Sequence, residues 1–223
     1  MSDTEFGSIV AYRSWVLAEK NYLPVLVSIL APVVWPYRTF EAKCFVDKSH
    51  DAPVFDCKCG IYAMKTQYWW KEQRIQKRLK GNWAAGQTLI NGEVELFGKI
   101  IIHEHGYRAK YAKIHSLNEE VLCSICDREF KLGSGELTFF VNKIPRIPWR
   151  GLYPVLYAFC SKCRRRALER YKGAKDNFGQ DMTDIHKLSM SAGITYNESY
   201  YRIADDIEIK KLYEGVRDLY LDN

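Results

Sequence analysis

The sequence lacks a long uninterrupted hydrophobic run. Its longest apolar stretch, residues 22–37 (YLPVLVSILAPVVWPY), contains three prolines and is shorter than the about 20 residues that a helix needs to cross a bilayer. The first seven residues, MSDTEFG, are acidic, whereas a secretory signal begins with a basic segment. These features predict a soluble protein of the cytoplasm, a reducing compartment, without a membrane partner.

The sequence also lacks the common catalytic motifs. It contains no nucleophile elbow, phosphate-binding loop, dinucleotide fingerprint or His-Glu-x-x-His helix. The segment HEHGY at 103–107 has no second histidine one helical turn later. The lack of these catalytic motifs favours a protein without catalytic activity. Internal repeats and low-complexity tracts are absent as well.

Positive charge is unevenly distributed. The formal net charge is +6, but residues 176–223 contain ten acidic and five basic residues, a net of −5, so the preceding part carries +11. A basic partner surface is therefore expected before residue 176. The acidic segment, which we predict to be helical, could dock a basic protein partner or fold back over a basic surface.

The sequence has seven cysteines, and six of them form close pairs. In a reducing compartment such pairs are more often metal ligands than disulfides. Two Cys-x-x-Cys pairs, separated by residues 127–159, predict one tetrahedral site with four thiolate ligands: Cys123, Cys126, Cys160 and Cys163. Four thiolates fill the coordination shell, so this zinc ion is expected to be structural. The alternative to a metal site is that these four residues are buried free cysteines.

The order of parts around this site is a Cys-x-x-Cys turn, a hairpin and a Cys-x-x-Cys at the start of a helix. That order resembles the treble-clef zinc finger over residues 121–173. The hairpin lacks the histidines expected of the treble-clef His-Asn-His nucleases, so that activity is not implied.

A second zinc site is an open alternative in the N-terminal half. Three cysteines, Cys44, Cys57 and Cys59, could bind zinc with His50 or His103 as the fourth ligand. Otherwise they are buried small hydrophobic residues, as free cysteines usually are. The sequence thus predicts one zinc ion and permits two.

The N-terminal half contains two unusual segments, CKCGIYAMK (57–65) and FGKIIIHEHGYRAKYA (97–112). Together with YRSWVL (12–17) and Cys44, they resemble uncharacterised small bacterial and phage proteins with Cys-x-Cys-Gly-Ile-Tyr-Ala and His-Glu-x-Gly-Tyr-Arg-Ala segments. This resemblance implies no activity. The strand–helix–strand order is compatible with a small barrel similar to the PUA-like domains, which read RNA or modified DNA bases, and this comparison is one of fold alone.

These patterns predict an α+β protein in three parts. Residues 1–119 form a β-rich, barrel-like domain with one basic helix, residues 120–175 a treble-clef-like zinc domain, and residues 176–223 an acidic segment with two helices. We expect the basic helix at 61–79, a bulge or bend at Gly98, and a turn or short helix over residues 107–117. A hairpin is expected around the Gly-Ser-Gly at 133–135.

Two basic surfaces are candidates for binding nucleic acid. The first follows the last cysteine pair and comprises Arg165, Arg166, Arg170 and Lys172. The second, on the predicted helix at 65–80, comprises Lys71, Arg74, Lys77 and Arg78. Either surface could instead be an ordinary solvated helix face, with Glu169 pairing with Arg165 or Arg166.

A cluster of polar residues follows the apolar strand at 97–102: His103, Glu104, Tyr107 and Arg108. It could be a recognition site for nucleic acid, with arginine on phosphate and tyrosine on a base. It could also be an acid–base pair, or a turn held by a Glu104–Arg108 salt bridge.

The function predicted from these features is binding of DNA or RNA by a zinc-stabilised, nonenzymatic protein. The alternative is a protein–protein adaptor built on the zinc site, such as a bacterial or phage regulatory or defence-related factor. An enzyme using His103 and Glu104 has the least support.

Overall fold

A computed structural model describes residues 3–4, 7–20, 23–29, 33–66, 89–126, 128–134, 136–143, 154–175, 179–192, 201–204 and 206–221. The strands in this part of the chain are β1 (Asp3–Thr4), β2 (Ile9–Lys20), β3 (Leu23–Ser28), β4 (Phe40–Glu41), β5 (Ile61–Met64), β6 (Leu89–Ile102), β7 (Gly106–Leu117), β8 (Glu120–Leu122), β9 (Glu129–Lys131), β10 (Leu137–Lys143), β11 (Pro154–Cys160) and β12 (Tyr201–Ala204). The helices are α1 (Ser161–Arg170), α2 (Asp184–Ala192) and α3 (Asp206–Leu221). No helix of these described ranges is long and apolar enough to cross a membrane.

Four strands close into a small barrel in the order β2-β6-β7-β5. The long hairpin of β6 and β7 forms its largest part, and residues 9–16 of β2 pair with residues 89–96 of β6. The ring is completed by β5, which pairs with β7 along its length and with β2 where Met64 lies opposite Tyr12. The predicted barrel-like N-terminal part is therefore present.

The β6–β7 hairpin bends at Gly98. Its register shifts between Phe97 and Ile100, and Gly98 has a φ of +74°, a left-handed conformation that favours glycine. A Cβ atom at this position would lie 2.8 Å from the ring of Tyr111. The bulge predicted at Gly98 is confirmed, and it increases the curvature that a four-stranded barrel requires.

Aromatic side chains fill the core beside the barrel. Trp15 on β2 meets Trp35 edge to face with ring centroids 5.3 Å apart, and Trp35 stacks on Phe40 at 4.9 Å. Both tryptophans are fully buried. The loop that carries Trp35 is thereby fixed against the barrel.

Strand β2 also links the barrel to the C-terminal sheet. Its second half pairs with β3, and Ala18 lies opposite Val155 of β11. From β11 the sheet continues through β10 to β12. The hydrophobic core is continuous from the barrel to the residues around Cys123 and to α3. The division at residues 119 and 175 stays a prediction.

Two buried tyrosines fix helix α3 to strands β3 and β7 and to the loop that carries Trp35. The Tyr220 hydroxyl donates to the carbonyl of Trp35 (2.8 Å) and accepts from the N–H of Leu26 (3.3 Å). The Tyr213 hydroxyl donates to the carbonyl of Leu117 at 3.0 Å. Buried polar backbone groups of loop and strand are thus paired by the helix.

Several local predictions were wrong. Residues 61–64 of the predicted basic helix are strand β5, and its residues 67–79 lie outside the described ranges. Residues 107–117 are strand rather than turn or helix. The buried residues Ala109, Ala112 and Ile114 of β7 are not all spaced by two, so buried and exposed positions do not alternate cleanly along this strand.

The described strands on either side of residues 133–135, β9 and β10, do not pair with each other as the predicted hairpin required. Strand β9 pairs with β8, which precedes the first cysteine pair, while β10 pairs with β11. In the acidic segment, α2 and α3 are separated by strand β12, which joins the edge of the sheet beside β10. In both places pairing with a strand distant in sequence replaces the local structure that was expected.

Replacing Tyr220 with phenylalanine should lower the free energy of unfolding by about 1–3 kcal/mol, because the buried carbonyl of Trp35 loses its donor. Urea denaturation followed by tryptophan fluorescence measures the change. Tyr171→Phe, the same substitution at a half-buried position after α1, is the control and should change stability by less than about 0.5 kcal/mol. Equal stability of the two variants would contradict the bridging role of Tyr220.

Candidate metal centres

Two groups of cysteine and histidine side chains converge within the described part of the chain. The four-cysteine cluster contains Cys123, Cys126, Cys160 and Cys163. The Cys3His cluster contains Cys44, His50, Cys57 and Cys59. In each, the four potential ligand atoms all lie within 4.8 Å of one another. All seven cysteines are free thiols, so each cluster can hold a metal ion.

The four-cysteine cluster joins two distant parts of the chain. Cys123 and Cys126 lie in the turn between β8 and β9, where the Cys123 N–H donates to the carbonyl of Arg128 (2.8 Å). The Ser124 N–H donates to the carbonyl of Ala158 on β11 (2.7 Å). Strand β11 ends at Cys160, which directly precedes the first residue of α1. Backbone pairing therefore places both cysteine pairs at one point.

Cys160 has two roles in this cluster. It is the N-cap of α1, and its Sγ accepts from the N–H of Cys163 at 3.3 Å. Its own N–H donates to the Sγ of Cys123 at 3.5 Å. N–H groups at a helix N-terminus favour negative charge, so this arrangement stabilises the thiolate of Cys160.

The sulfur spacing fits a tetrahedral ion. Cys126 Sγ and Cys160 Sγ are 3.8 Å apart, far beyond the about 2.05 Å of a disulfide. Four sulfurs at about 2.3 Å from a zinc ion define a tetrahedron with edges of about 3.8 Å. Cys126 is exposed and the other three are buried, so the cluster lies at the surface with one edge open to solvent.

The thiols of this cluster differ in acidity. Burial raises the pKa of Cys123 and of Cys163. Burial acts on Cys160 in the same direction, but the Cys163 N–H and the neighbouring thiols outweigh it, so the pKa of Cys160 is lowered. Metal binding at this cluster therefore requires the displacement of protons from Cys123 and Cys163.

The Cys3His cluster is built by the loop between β4 and β5. Cys44 Sγ lies 3.7 Å from Cys57 Sγ, and His50 Nε2 lies 3.4 Å from Cys59 Sγ. These separations are close to the tetrahedral edges of about 3.6–3.8 Å expected for sulfur and nitrogen ligands of zinc. Of the two histidines that the sequence offered as the fourth ligand, His50 is the one in the cluster.

Asp47 organises this cluster, and the sequence analysis did not identify it. Its N–H donates to Cys44 Sγ at 3.3 Å and is the main cause, before the Val46 N–H, Cys57 and His50, of the lowering of the pKa of Cys44 to about 7. Its carboxylate lies 3.3 Å from His50 Nδ1. A carboxylate on the far nitrogen orients a metal-binding imidazole, so Nε2 is directed at the thiols. The sequence feature that could have identified Asp47 is its position three residues after Cys44.

The four residues of the predicted recognition cluster do not converge on one site in the structure. His103 Nε2 accepts from Arg108 Nε at 2.8 Å, and Arg108 is buried. Glu104 is exposed and pairs with His105, not with Arg108. Tyr107 is half-buried, with the Lys65 ammonium 5.7 Å from its ring centre. Burial, and then the charges of Arg108 and Lys65, lower the pKa of His103, which keeps its ring neutral.

Helix α1 has an exposed basic surface. We name α1 basic face the cations of this helix and its C-terminal turn that are exposed: Lys162, Arg164, Arg165, Arg166, Arg170 and Lys172. Arg164 was not among the predicted residues. Cys163 and Ala167 are buried on the opposite side. The predicted pairing of Glu169 with Arg165 or Arg166 does not occur in this described helix.

The acidic segment does fold back beside α1. Helix α2 packs against α1, and the Met182 N–H donates to the carbonyl of Ala174 at 3.0 Å. The α1 basic face nevertheless stays exposed. The second predicted basic surface, at Lys71, Arg74, Lys77 and Arg78, lies outside the described residues.

Comparison of the chain with protein-family models, with curated proteins and with solved structures found no match. The resemblances to the treble-clef finger, to PUA-like domains and to the bacterial and phage proteins therefore stay predictions.

Replacing Cys160 with serine should reduce the bound metal by one ion per chain and destabilise the chain by several kcal/mol, on the order of a lost structural metal site. Elemental analysis and thermal melting measure both effects. Ser161→Ala, at the next and exposed position, is the control. A Cys160→Ser protein with unchanged zinc and melting would refute the four-cysteine site.

Zinc affinity of the four-cysteine cluster should increase between about pH 6 and about pH 8, because protons compete with the metal for thiols. Because their pKa values are raised, Cys123 and Cys163 stay protonated over this range, and each increase in pH lowers the proton competition without ending it. Chelator competition at each pH measures the affinity, and calorimetry in buffers of different ionisation enthalpy counts the protons released. An affinity independent of pH would contradict the protonated state of these thiols.

Proposed function

We propose that this chain is a nucleic-acid-binding protein without catalytic activity, stabilised by two zinc ions. It binds DNA or RNA through the α1 basic face, which the four-cysteine cluster holds in position. In this proposal residues 120–175 form a treble-clef-type unit, with the turn at Cys123, the β10–β11 hairpin and α1 as its parts. The barrel is the candidate reader of RNA or of modified bases, as in PUA-like domains.

The observation that carries this proposal is the composition of the α1 basic face. Its six cations are exposed on about three turns of one helix, and none forms an ion pair with a carboxylate in the described part of the chain. The only acidic residue among them is Glu169. Such unneutralised clusters attract phosphates, and binding of this kind releases counterions.

The local surface supports the proposal better than the net charge does. A zinc ion with four thiolates carries −2 and one with three thiolates and a neutral histidine carries −1. With both sites filled, the formal +6 becomes 6 − 2 − 1 = +3. A protein of this modest charge binds polyanions through a concentrated patch rather than through its overall field.

The side chains at His103 support the nonenzymatic interpretation. The Nε2 atom of His103 is occupied by Arg108, and Glu104 pairs with His105 on the exposed turn. A general acid or base must lie within hydrogen-bond reach of the proton that it transfers, and the acceptor nitrogen of His103 is already bonded to Arg108. These contacts favour a structural role for His103 and Arg108.

Charge reversal of Arg165 and Arg166 to glutamate tests the proposal. We expect the double variant to lose binding to DNA and RNA oligonucleotides by at least about 100-fold at low salt, because two phosphate contacts are lost and two repulsive charges are added. Fluorescence anisotropy at several salt concentrations measures the affinity. The slope of log affinity against log salt should also become shallower.

The matched control is Lys210→Glu with Lys211→Glu, two adjacent exposed cations on α3. This variant changes the net charge equally and should retain binding within a few-fold. Equal losses in both double variants, or no binding by the unmodified chain, would refute the α1 basic face as the binding surface.

A second candidate, a protein–protein adaptor, is supported by a different surface. Phe45, Val46 and Phe55 on the loop of the Cys3His cluster are 77%, 93% and 55% exposed. Large apolar side chains that are this exposed on a surface loop favour contact with a partner. Under this function, serine at positions 45 and 46 would abolish binding of a protein partner, while the α1 double variant would leave it intact.

A further inference from the structure

Arg108 is a buried arginine directed at the Cys3His cluster. It lies on β7 with 4% of its surface exposed. Its guanidinium donates to the backbone carbonyls of Cys57, Cys59 (3.3 Å) and Phe55 (3.2 Å), and its Nε donates to His103. Two of these three carbonyls belong to cluster cysteines.

None of these partners carries a negative charge. In the described part of the chain no carboxylate lies within salt-bridge distance of Arg108, and its acceptors are three carbonyls and a neutral imidazole. The Tyr62 ring, with its centre 5.8 Å from the guanidinium carbon, adds only a weak attraction. A buried cation without a counter-charge is strongly destabilising.

The metal-filled cluster supplies the missing charge. Three thiolates and a divalent ion sum to −1, since histidine binds metal as the neutral ring. The guanidinium carries +1 and donates hydrogen bonds to the backbone carbonyls of two of the three cysteines, Cys57 and Cys59. We infer that Arg108 is the counter-ion and positioning residue of a divalent, thiolate-binding metal centre at Cys44, His50, Cys57 and Cys59. This inference depends on metal binding at that cluster and not on nucleic-acid binding.

The several N–H donors of a guanidinium explain why arginine, rather than lysine, occupies position 108. One Nη atom reaches the carbonyls of both Cys57 and Cys59, while the other reaches Phe55. The guanidinium thereby fixes the backbone of the ligand loop as well as neutralising its charge. Gly60 permits this close approach, since a Cβ there would lie 3.0 Å from Pro53 and 3.3 Å from Arg108. Lysine at this position would keep the positive charge but could not reach all three carbonyls with the same geometry.

The test is cobalt titration of the full chain with Arg108→Gln and Arg108→Lys. Tetrahedral Co²⁺–thiolate absorption reports each site, and Cys57→Ser identifies the signal of the Cys3His cluster. We expect the glutamine variant to bind Co²⁺ at that cluster about 10- to 100-fold more weakly, the usual effect of losing a partner behind the ligands. Lysine should restore part of the loss. The four-cysteine site should keep its affinity in both variants.

Arg128→Gln is the matched control, because Arg128 is an exposed arginine next to the other cluster that pairs with Glu136. It should leave both affinities unchanged. Three results would overturn the inference: an unmodified chain that binds metal only at the four-cysteine cluster, an Arg108→Gln chain that binds two ions with unchanged affinity, or equal weakening of both sites. Unfolding of both Arg108 variants in the metal-loaded state would also overturn it, since Arg108 would then stabilise the barrel itself.

Discussion

The region around α1 depends on the convergence of four sulfur atoms from two separated parts of the chain. Thiolates within 4.8 Å of one another repel strongly unless a cation lies among them. With a cation present, the same groups fix the turn at Cys123 and the start of α1 as one unit. The exposed arginines of α1 then occupy defined positions, which a short helix alone would not ensure.

The two candidate metal centres differ in the source of positive potential that balances them. At the four-cysteine cluster it comes from backbone N–H groups, above all that of Cys163 at the N-terminus of α1. The Cys3His cluster lies on a loop without a helix, where the Asp47 N–H donates to Cys44 Sγ and the buried Arg108 is bonded to the carbonyls of Cys57 and Cys59. Backbone N–H groups thus donate to thiols of both clusters, and the Cys3His cluster is in addition bonded to a buried arginine from β7.

Strand β2 makes the two halves of the molecule mechanically continuous. Its first half belongs to the barrel and its second half pairs with β3 and β11, and β11 leads directly into Cys160. The tyrosines of α3 connect the far end of the chain back to the barrel. Cys123, Cys160 and Cys163 therefore pack in the same hydrophobic core as the residues of the barrel.

The sequence by itself determined the ligands of the four-cysteine cluster, the β-rich first half, the bulge at Gly98 and the basic character of α1. These features depend on spacing and residue type within short segments. Only the tertiary structure decided the roles of His50, Asp47 and Arg108, because their partners lie on other loops and strands. It also decided the strand state of β7 and the pairing of β9 with β8, since a strand is defined by a neighbour that local sequence does not contain.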